Sequence, residues 1–169
     1  MGRTRGAEAL AALVDATFGS ADSPITMIEP DISGWTRVGA TSNADYFTVE
    51  PGILALVPHK GAVDVRATAL DNANVINDYG RRAGRPVAVI AFFDRIGSLD
   101  SAARRTYSEE ADPTTVCAVA MVGGALLGRA MASVFLAIVR PPGLQFRLFG
   151  TYDEAVAWGR TLVAEHGAG

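Results

Sequence analysis

Hydrophobic and polar positions alternate in blocks along the second half of the chain, from Pro86 to Trp158. Three apolar runs of strand length are each followed by a segment with helical spacing of its apolar positions; they read PVAVIAFFD, VCAVAMVG and LQFRLFG. Unbroken apolar runs such as the first two are typical of strands covered on both faces. Strands that alternate with helices pair in parallel through right-handed crossovers. The stretch therefore predicts three strand–helix units of an α/β fold.

An antiparallel hairpin is predicted ahead of these units. Two further apolar runs, YFTVE and ILALV, flank Pro51 and Gly52. Proline pre-sets the first central position of a type II turn, and glycine supplies the positive φ of the second. Together with the strand–helix units, the hairpin predicts a mixed sheet of about five strands with helices packed against it.

A helix is predicted between the hairpin and the first strand–helix unit. Asp64 or Thr68 can cap its start, two arginines lie in its last turn, and Gly84 can close it. The positions expected on its buried face are Leu70, Ala73, Ile76 or Asn77, and Tyr79 or Gly80.

One apolar stretch, from Val116 to Val139, is long enough to span a bilayer. Gly123 and Gly124 divide it into a run of strand length and a run of helix length, in the same rhythm as the units before and after it. We therefore predict a buried strand and a helix buried on most sides, and no membrane span. The following strand, LQFRLF, alternates apolar and polar residues, which predicts a half-exposed edge strand.

The first 45 residues follow a different pattern. Residues 1–18 predict a short amphipathic helix, and residues 19–45 are rich in Gly, Ser, Thr, Asp and Pro, which predicts irregular structure. The chain is thus divided into an N-terminal helix and irregular arm, 1–45, and an α/β domain, 46–169. The apolar residues of the arm are expected to dock on this domain or on a partner subunit.

Composition narrows the classes of function. With 169 residues, 49% of them hydrophobic, the chain can bury a sizeable core without disulfides or metal. A net charge of -3 gives no basic field for a nucleic-acid partner. Cys117 is the only cysteine and lies in an apolar run, which predicts an inert buried thiol and a reducing, cytoplasmic location.

The order of hairpin, helix and three strand–helix units is similar to the STAS, or anti-sigma-factor-antagonist-like, fold. More narrowly, the chain resembles an uncharacterised bacterial STAS-like group over residues 46–164. The segments that carry the resemblance are AVIAFFDRI (88–96), SAARRTY (101–107), AVAMVGGALLGRAMASVFL (118–136), RPP (140–142), RLF (147–149) and DEAVAW (153–158).

The resemblance implies a candidate regulatory switch at Asp100 and Ser101. In regulatory STAS domains, a serine that follows an aspartate at the start of the helix after the central strand is phosphorylated by a partner kinase. Here the connection from Asp94 is shorter, and Ala102 and Ala103 replace the second serine and the glycine of that pattern. The structural alternative is that Asp100 or Ser101 simply caps the helix.

Two further candidates lie at strand ends. Gly123 and Gly124 follow a strand and open a helix, a geometry used for phosphates, although a Walker lysine and a GxGxxG pattern are missing. Asp94 ends a strand where α/β sheets often bind ligands, and with Arg95 or Arg129 it could form a site. The structural alternatives are a tight turn for the glycines and a cap or salt bridge for Asp94.

The leading expectation is a non-enzymatic STAS-like protein that acts through protein–protein contacts or regulation, as a homodimer, without a cofactor or metal. The alternative is a small-molecule or lipid-binding module with a pocket beside the helix at 124–139. A deep apolar cavity would favour the alternative, and a filled core would exclude it. An enzyme would require clustered polar groups near Asp94, Ser101 and Gly150, and no catalytic or metal-binding spacing is evident.

Overall fold

The computed structural model describes residues 27–138 and 142–167, so the helix predicted at 1–18 lies outside the described residues. The described segments form eight strands and four helices. In chain order these are β1 (Thr36–Ala40), β2 (Ala44–Glu50), β3 (Ile53–Pro58), β4 (Ala62–Asp64), α1 (Arg66–Ala83), β5 (Val87–Phe92), β6 (Ile96–Leu99), α2 (Ser101–Glu110), β7 (Val116–Val122), α3 (Leu126–Ile138), β8 (Gln145–Phe149) and α4 (Tyr152–Gly167).

The main sheet has the order β1-β2-β3-β5-β7-β8. β1, β2 and β3 pair in antiparallel fashion, and β3, β5, β7 and β8 pair in parallel. The hairpin between β2 and β3 turns at Pro51 and Gly52, where the glycine has a φ of 86°. This confirms the predicted mixed α/β sheet, with an antiparallel hairpin followed by parallel units. β8 forms one edge of the sheet and alternates in burial, as the sequence predicts.

Two features differ from the expected sheet. The main sheet has six strands because β1 pairs with β2, so the expectation of irregular structure up to residue 45 is wrong from residue 36 onward. β1 reads TRVGA and buries no side chain fully, so its own pattern is weak and the pairing with β2 supports it. In addition, β4 and β6 form a separate two-stranded parallel sheet. Each is four residues or shorter, too short for a periodicity to show.

The helices cover both faces of the main sheet. Alternate side chains of the central strands point to opposite faces, as in Leu54 against Ile53 and Val89 against Ile90. α1, α2 and α3 lie over one face, and α4 lies over the other. Every residue of β5 is buried, which matches a strand covered on both sides.

The buried face of α1 differs in part from the predicted one. The buried residues of this helix are small or polar: Ala69, Asn72, Ala73, Asn77 and Gly80. The expectation that Leu70 is buried is wrong, since it is 38% exposed. The face of α1 that is buried differs from the predicted one because Gly80 packs closely against Thr115. Hydrogen bonds also satisfy the buried side chains of Asn72 and Asn77.

We expect Gly80→Ala to destabilise the protein, although alanine is the better helix former. A Cβ atom at residue 80 would lie 2.3 Å from the carbonyl oxygen of Thr115 and 2.7 Å from its Cβ. The expected loss in the free energy of unfolding, measured by urea denaturation, is about 1–3 kcal/mol. Gly150→Ala is the control, because a Cβ there meets nothing within 4 Å. A Gly80→Ala variant as stable as the wild type would contradict the close packing.

The long apolar stretch divides at Gly123 and Gly124 into β7 and α3. None of the helices in the described part of the chain has the length and apolar character that crossing a membrane requires. Cys117 is buried in β7, and burial raises the pKa of its thiol.

Candidate functional site: a cavity between the sheet and three helices

Asp94 lies in a short 3₁₀ turn, Phe93–Arg95, that follows β5. Its carboxylate accepts hydrogen bonds from the backbone N–H groups of Gly124 (2.8 Å) and Ala125 (2.9 Å), which lead into α3. It also accepts one from Ile28 N–H, at 2.8 Å. Asp94 therefore caps the backbone that leads into α3. Its carboxylate lies where an anion would bind at the N-terminal end of this helix.

The other candidate residues near α3 also make hydrogen bonds within the fold. The backbone N–H of Gly123 donates to the carbonyl of Phe149, which joins the ends of β7 and β8. Arg129 is half-buried in the first turns of α3, and its carbonyl accepts a hydrogen bond from Ser133 Oγ at 2.9 Å. Asp94, Gly123, Gly124 and Arg129 thus belong to one region, at the start of α3.

Asp100 and Ser101 lie at the start of α2, directly after β6. Asp100 Oδ1 accepts a hydrogen bond of 2.7 Å from Ala103 N–H, so this side chain caps the helix. Ser101 is the first residue of α2, and it is exposed. Asp100 thus acts as a helix cap, which was the alternative to a role in a regulatory switch. Phosphorylation of Ser101 stays a prediction.

The described part of the arm docks on the domain. Trp35 packs against Phe47, Phe92 and Tyr152, with ring centroids 5.5–6.2 Å apart. Glu29 forms ion pairs with Arg95 and Lys60. Together with the hydrogen bond from Ile28 N–H to Asp94, these contacts hold residues 28–35 across the end of β5.

A separate apolar space lies between the main sheet and helices α1, α2 and α3. A cavity of about 100 Å³ lies there. Most of its lining is apolar, and it comes from the strands β2 to β8, from α1, α2 and α3, and from the turn after β5. Representative lining residues are Leu56, Val89, Phe93, Val119, Phe135 and Phe146. Exposed or partly exposed residues around the end of α2 and the start of β8 also line it.

A hydrogen-bonded chain of three side chains lies at one end of the cavity. Tyr107 Oη donates to Asp64 Oδ2 at 2.6 Å, and Asn72 Nδ2 donates to Tyr107 Oη at 2.9 Å. Burial first, and then the negative charge of Asp64, raise the pKa of Tyr107 well above its usual value. The phenol therefore stays protonated at neutral pH and acts as a donor to the carboxylate.

Neighbouring residues complete this polar end. Tyr46 Oη donates to Asn72 Oδ1 at 2.7 Å, and the second N–H of Asn72 donates to Asn43 Oδ1 at 3.2 Å. Thr68 Oγ1 donates to Asp64 Oδ1 at 2.6 Å. Chiefly through burial, the pKa of Tyr46 is raised as well. The network places a buried carboxylate and the phenol of Tyr107 beside an apolar space.

The opposite end of the cavity has a smaller polar group. Asn77 Nδ2 donates to the backbone carbonyl of Glu110 at 3.0 Å, and Thr115 Oγ1 donates to Asn77 Oδ1 at 2.6 Å. Asp112 also lines this end, and hydrogen bonds from Thr114 lower the pKa of its carboxyl group. Among the described lining residues, all the charged ones are acidic: Asp64, Glu110 and Asp112.

Sequence reasoning did not identify these polar residues as a site. Asp64 was predicted only as a possible helix cap, and Asn72 and Tyr107 were not singled out. The available signal was the pair Asn72 and Asn77, which interrupts the apolar face of a helix that must pack on a sheet. In the described part of the chain, no group of three or more His, Cys, Asp or Glu residues could hold a metal ion.

Comparison of the chain with protein-family models, with curated proteins and with solved structures found no match. The STAS-like resemblance therefore stays a prediction.

Proposed function

We propose that this protein binds a small, largely apolar molecule in the cavity between the main sheet and helices α1, α2 and α3. The observation that carries the proposal is the cavity itself, about 100 Å³ in volume, with polar side chains at two ends. Binding sites for small molecules are typically apolar spaces with a few converging polar groups. An apolar cavity of about 150 Å³ is known to admit benzene, so this volume suits a smaller molecule.

Unfilled space of this size is unusual in a protein core. Protein interiors pack to the density of organic crystals, with few voids larger than a water molecule. At about 24 cal/mol per Å³, a cavity of this volume lowers stability by about 2 kcal/mol. Ala73 and Ala91 both line it, so a single larger side chain could fill part of the space. A bound molecule would recover the contacts that these small residues leave unmade.

The proposal develops the second of the two functions expected from the sequence. The first, a non-enzymatic STAS-like regulatory module that forms a homodimer, stays a prediction that a measurement of the oligomeric state would test. Ser101 is exposed and so accessible to a kinase, but its neighbour Asp100 already has a role as a helix cap.

Xenon and a cavity-filling variant test the proposed site. We expect xenon pressure to shift the amide NMR signals of residues around the cavity in the wild type. Ala73→Leu is expected to remove these shifts while leaving the free energy of unfolding unchanged or raised by about 0.5–2 kcal/mol. Ala157→Leu, at an exposed position of α4, is the matched control and should retain the shifts.

The smaller substitution Ala91→Val serves as a second filling variant if Ala73→Leu does not fold. Absence of xenon-dependent shifts in the wild type would reject the proposed site. Shifts that persist unchanged in a folded filling variant would place the xenon elsewhere and would also reject it.

A further inference from the structure

We infer that the cavity selects molecules with a hydrogen-bond-donating head, a short aliphatic amine above all, and rejects the carboxylic acid of the same size. This inference rests on the proposed function and specifies the class of ligand. It follows from three properties of the cavity: the hydrogen-bonding capacity left at its polar end, the sign of its charged groups, and its volume.

The donors at the polar end are already engaged. The hydroxyl of Tyr107 donates to Asp64, and the amide of Asn72 donates one N–H to Tyr107 and the other to Asn43. Tyr46 in turn donates to Asn72. A ligand that offers only acceptor atoms would therefore find no available N–H or O–H on Tyr107, Asn72 or Tyr46 without breaking an existing bond.

Acceptor capacity remains at the same end. A carboxylate has about four lone-pair sites, and Asp64 accepts close hydrogen bonds from Tyr107 and Thr68, both at 2.6 Å, and a longer one of 3.5 Å from Asn43. The oxygen of Tyr107 accepts one bond from Asn72 and has a second lone pair. A primary ammonium group carries three N–H donors, which these oxygens can accept.

Charge favours the same class of ligand. The charged residues among the described lining are Asp64 at one end and Glu110 and Asp112 at the other, and none of the described lining residues is basic. An aliphatic amine is protonated at pH 7, as lysine is, and would gain a counter-ion at Asp64. A carboxylate would instead be buried near a like charge at either end, and burial of an unpaired charge is strongly unfavourable.

The volume of the cavity limits the length of the ligand's apolar chain. A cavity of about 150 Å³ holds the six carbons of benzene, so about 100 Å³ corresponds to four or five non-hydrogen atoms. Butylammonium, butan-1-ol and propionate are therefore suitable probes, because each has about five non-hydrogen atoms. They match in size and differ in the charge and donors of the head group. Ligands of this size have few contacts, so dissociation constants in the millimolar range are expected.

The test is a titration of the protein with each probe at pH 7 and equal ionic strength, followed by the amide signals of residues around the cavity. We expect butylammonium to bind at least about 100-fold more tightly than propionate, with butan-1-ol between them. Asp64→Asn, which preserves shape but removes the charge, should abolish the preference for the amine over the alcohol. Asp78→Asn, an exposed position of α1, is the matched control and should retain it.

The outcomes separate the two proposals. Propionate binding as tightly as butylammonium, or an unchanged amine preference in Asp64→Asn, would reject the selectivity for donors. If xenon still shifts the cavity signals in that case, the proposed function stands. If xenon shifts nothing, the proposed function itself fails. Should Asp64→Asn not fold, the three probes on the wild-type protein decide the selectivity alone.

Discussion

Phe135→Ala is expected to lower the free energy of unfolding by about 3–5 kcal/mol. Phe135 is 6% exposed, and its ring lies 5.7–5.8 Å from the rings of Phe93, Tyr107 and Phe146, measured between centroids. Removal of the ring deletes these aromatic contacts and also enlarges the cavity that Phe135 lines. Urea denaturation measures the loss, and the m-value shows whether unfolding stays two-state.

The neighbouring residue on α3 provides the control. Val134 is 40% exposed, so Val134→Ala removes little buried surface and should change the free energy of unfolding by at most about 0.5 kcal/mol. A loss below about 1 kcal/mol for Phe135→Ala would show that this face of α3 is not packed on the sheet. Because the enlarged cavity stays apolar, the variant should also show larger xenon-dependent shifts than the wild type.

Asp94→Ala is expected to lower the free energy of unfolding by about 2–4 kcal/mol. Its carboxylate accepts three backbone N–H groups, from Ile28, Gly124 and Ala125, and hydrogen bonds to a charged acceptor are stronger than those to a neutral one. The substitution leaves the start of α3 without its cap and releases one attachment of the arm. Faster amide hydrogen exchange at all three residues would accompany the loss.

Two variants test whether the effect depends on the cap. Asp94→Asn keeps one acceptor oxygen and removes the charge, so its stability should lie between those of the wild type and Asp94→Ala. Asp78→Ala removes a carboxylate that pairs with Arg81 on the exposed side of α1 and should have little effect. If Asp94→Ala behaves like Asp78→Ala, the hydrogen bonds of Asp94 do not stabilise the fold.

Local sequence was sufficient where an element is specified by its own residues. The turn at Pro51 and Gly52 depends on two backbone preferences, and the resulting hairpin is the one predicted. The unbroken apolar run of β5 identifies a central strand, and the alternation in β8 identifies an edge strand. The close of α1 at Gly84, with a φ of 68°, is likewise local.

Elements that depend on a partner could not be predicted in the same way. β1 has no fully buried side chain, and its place in the sheet comes from backbone pairing with β2. The buried face of α1 was predicted from its apolar residues, yet Asn72 and Asn77 are buried and Leu70 is not. The energy of a buried asparagine depends on hydrogen-bond partners that are distant in sequence, such as Tyr107 and Thr115.

The candidate site shows the same division. The sequence alone determined that the chain forms a mixed α/β sheet, and it indicated that Asp94 ends a strand and that Asp100 can cap a helix, because strand pattern and local capping are properties of short segments. Only the tertiary structure decided that an unfilled volume remains between the sheet and three helices, since a cavity is the space left by side chains from positions as far apart as Asn43 and Phe146. It also decided which polar groups face that space, because the partners of Asp64 and Asn72 come from other strands and helices.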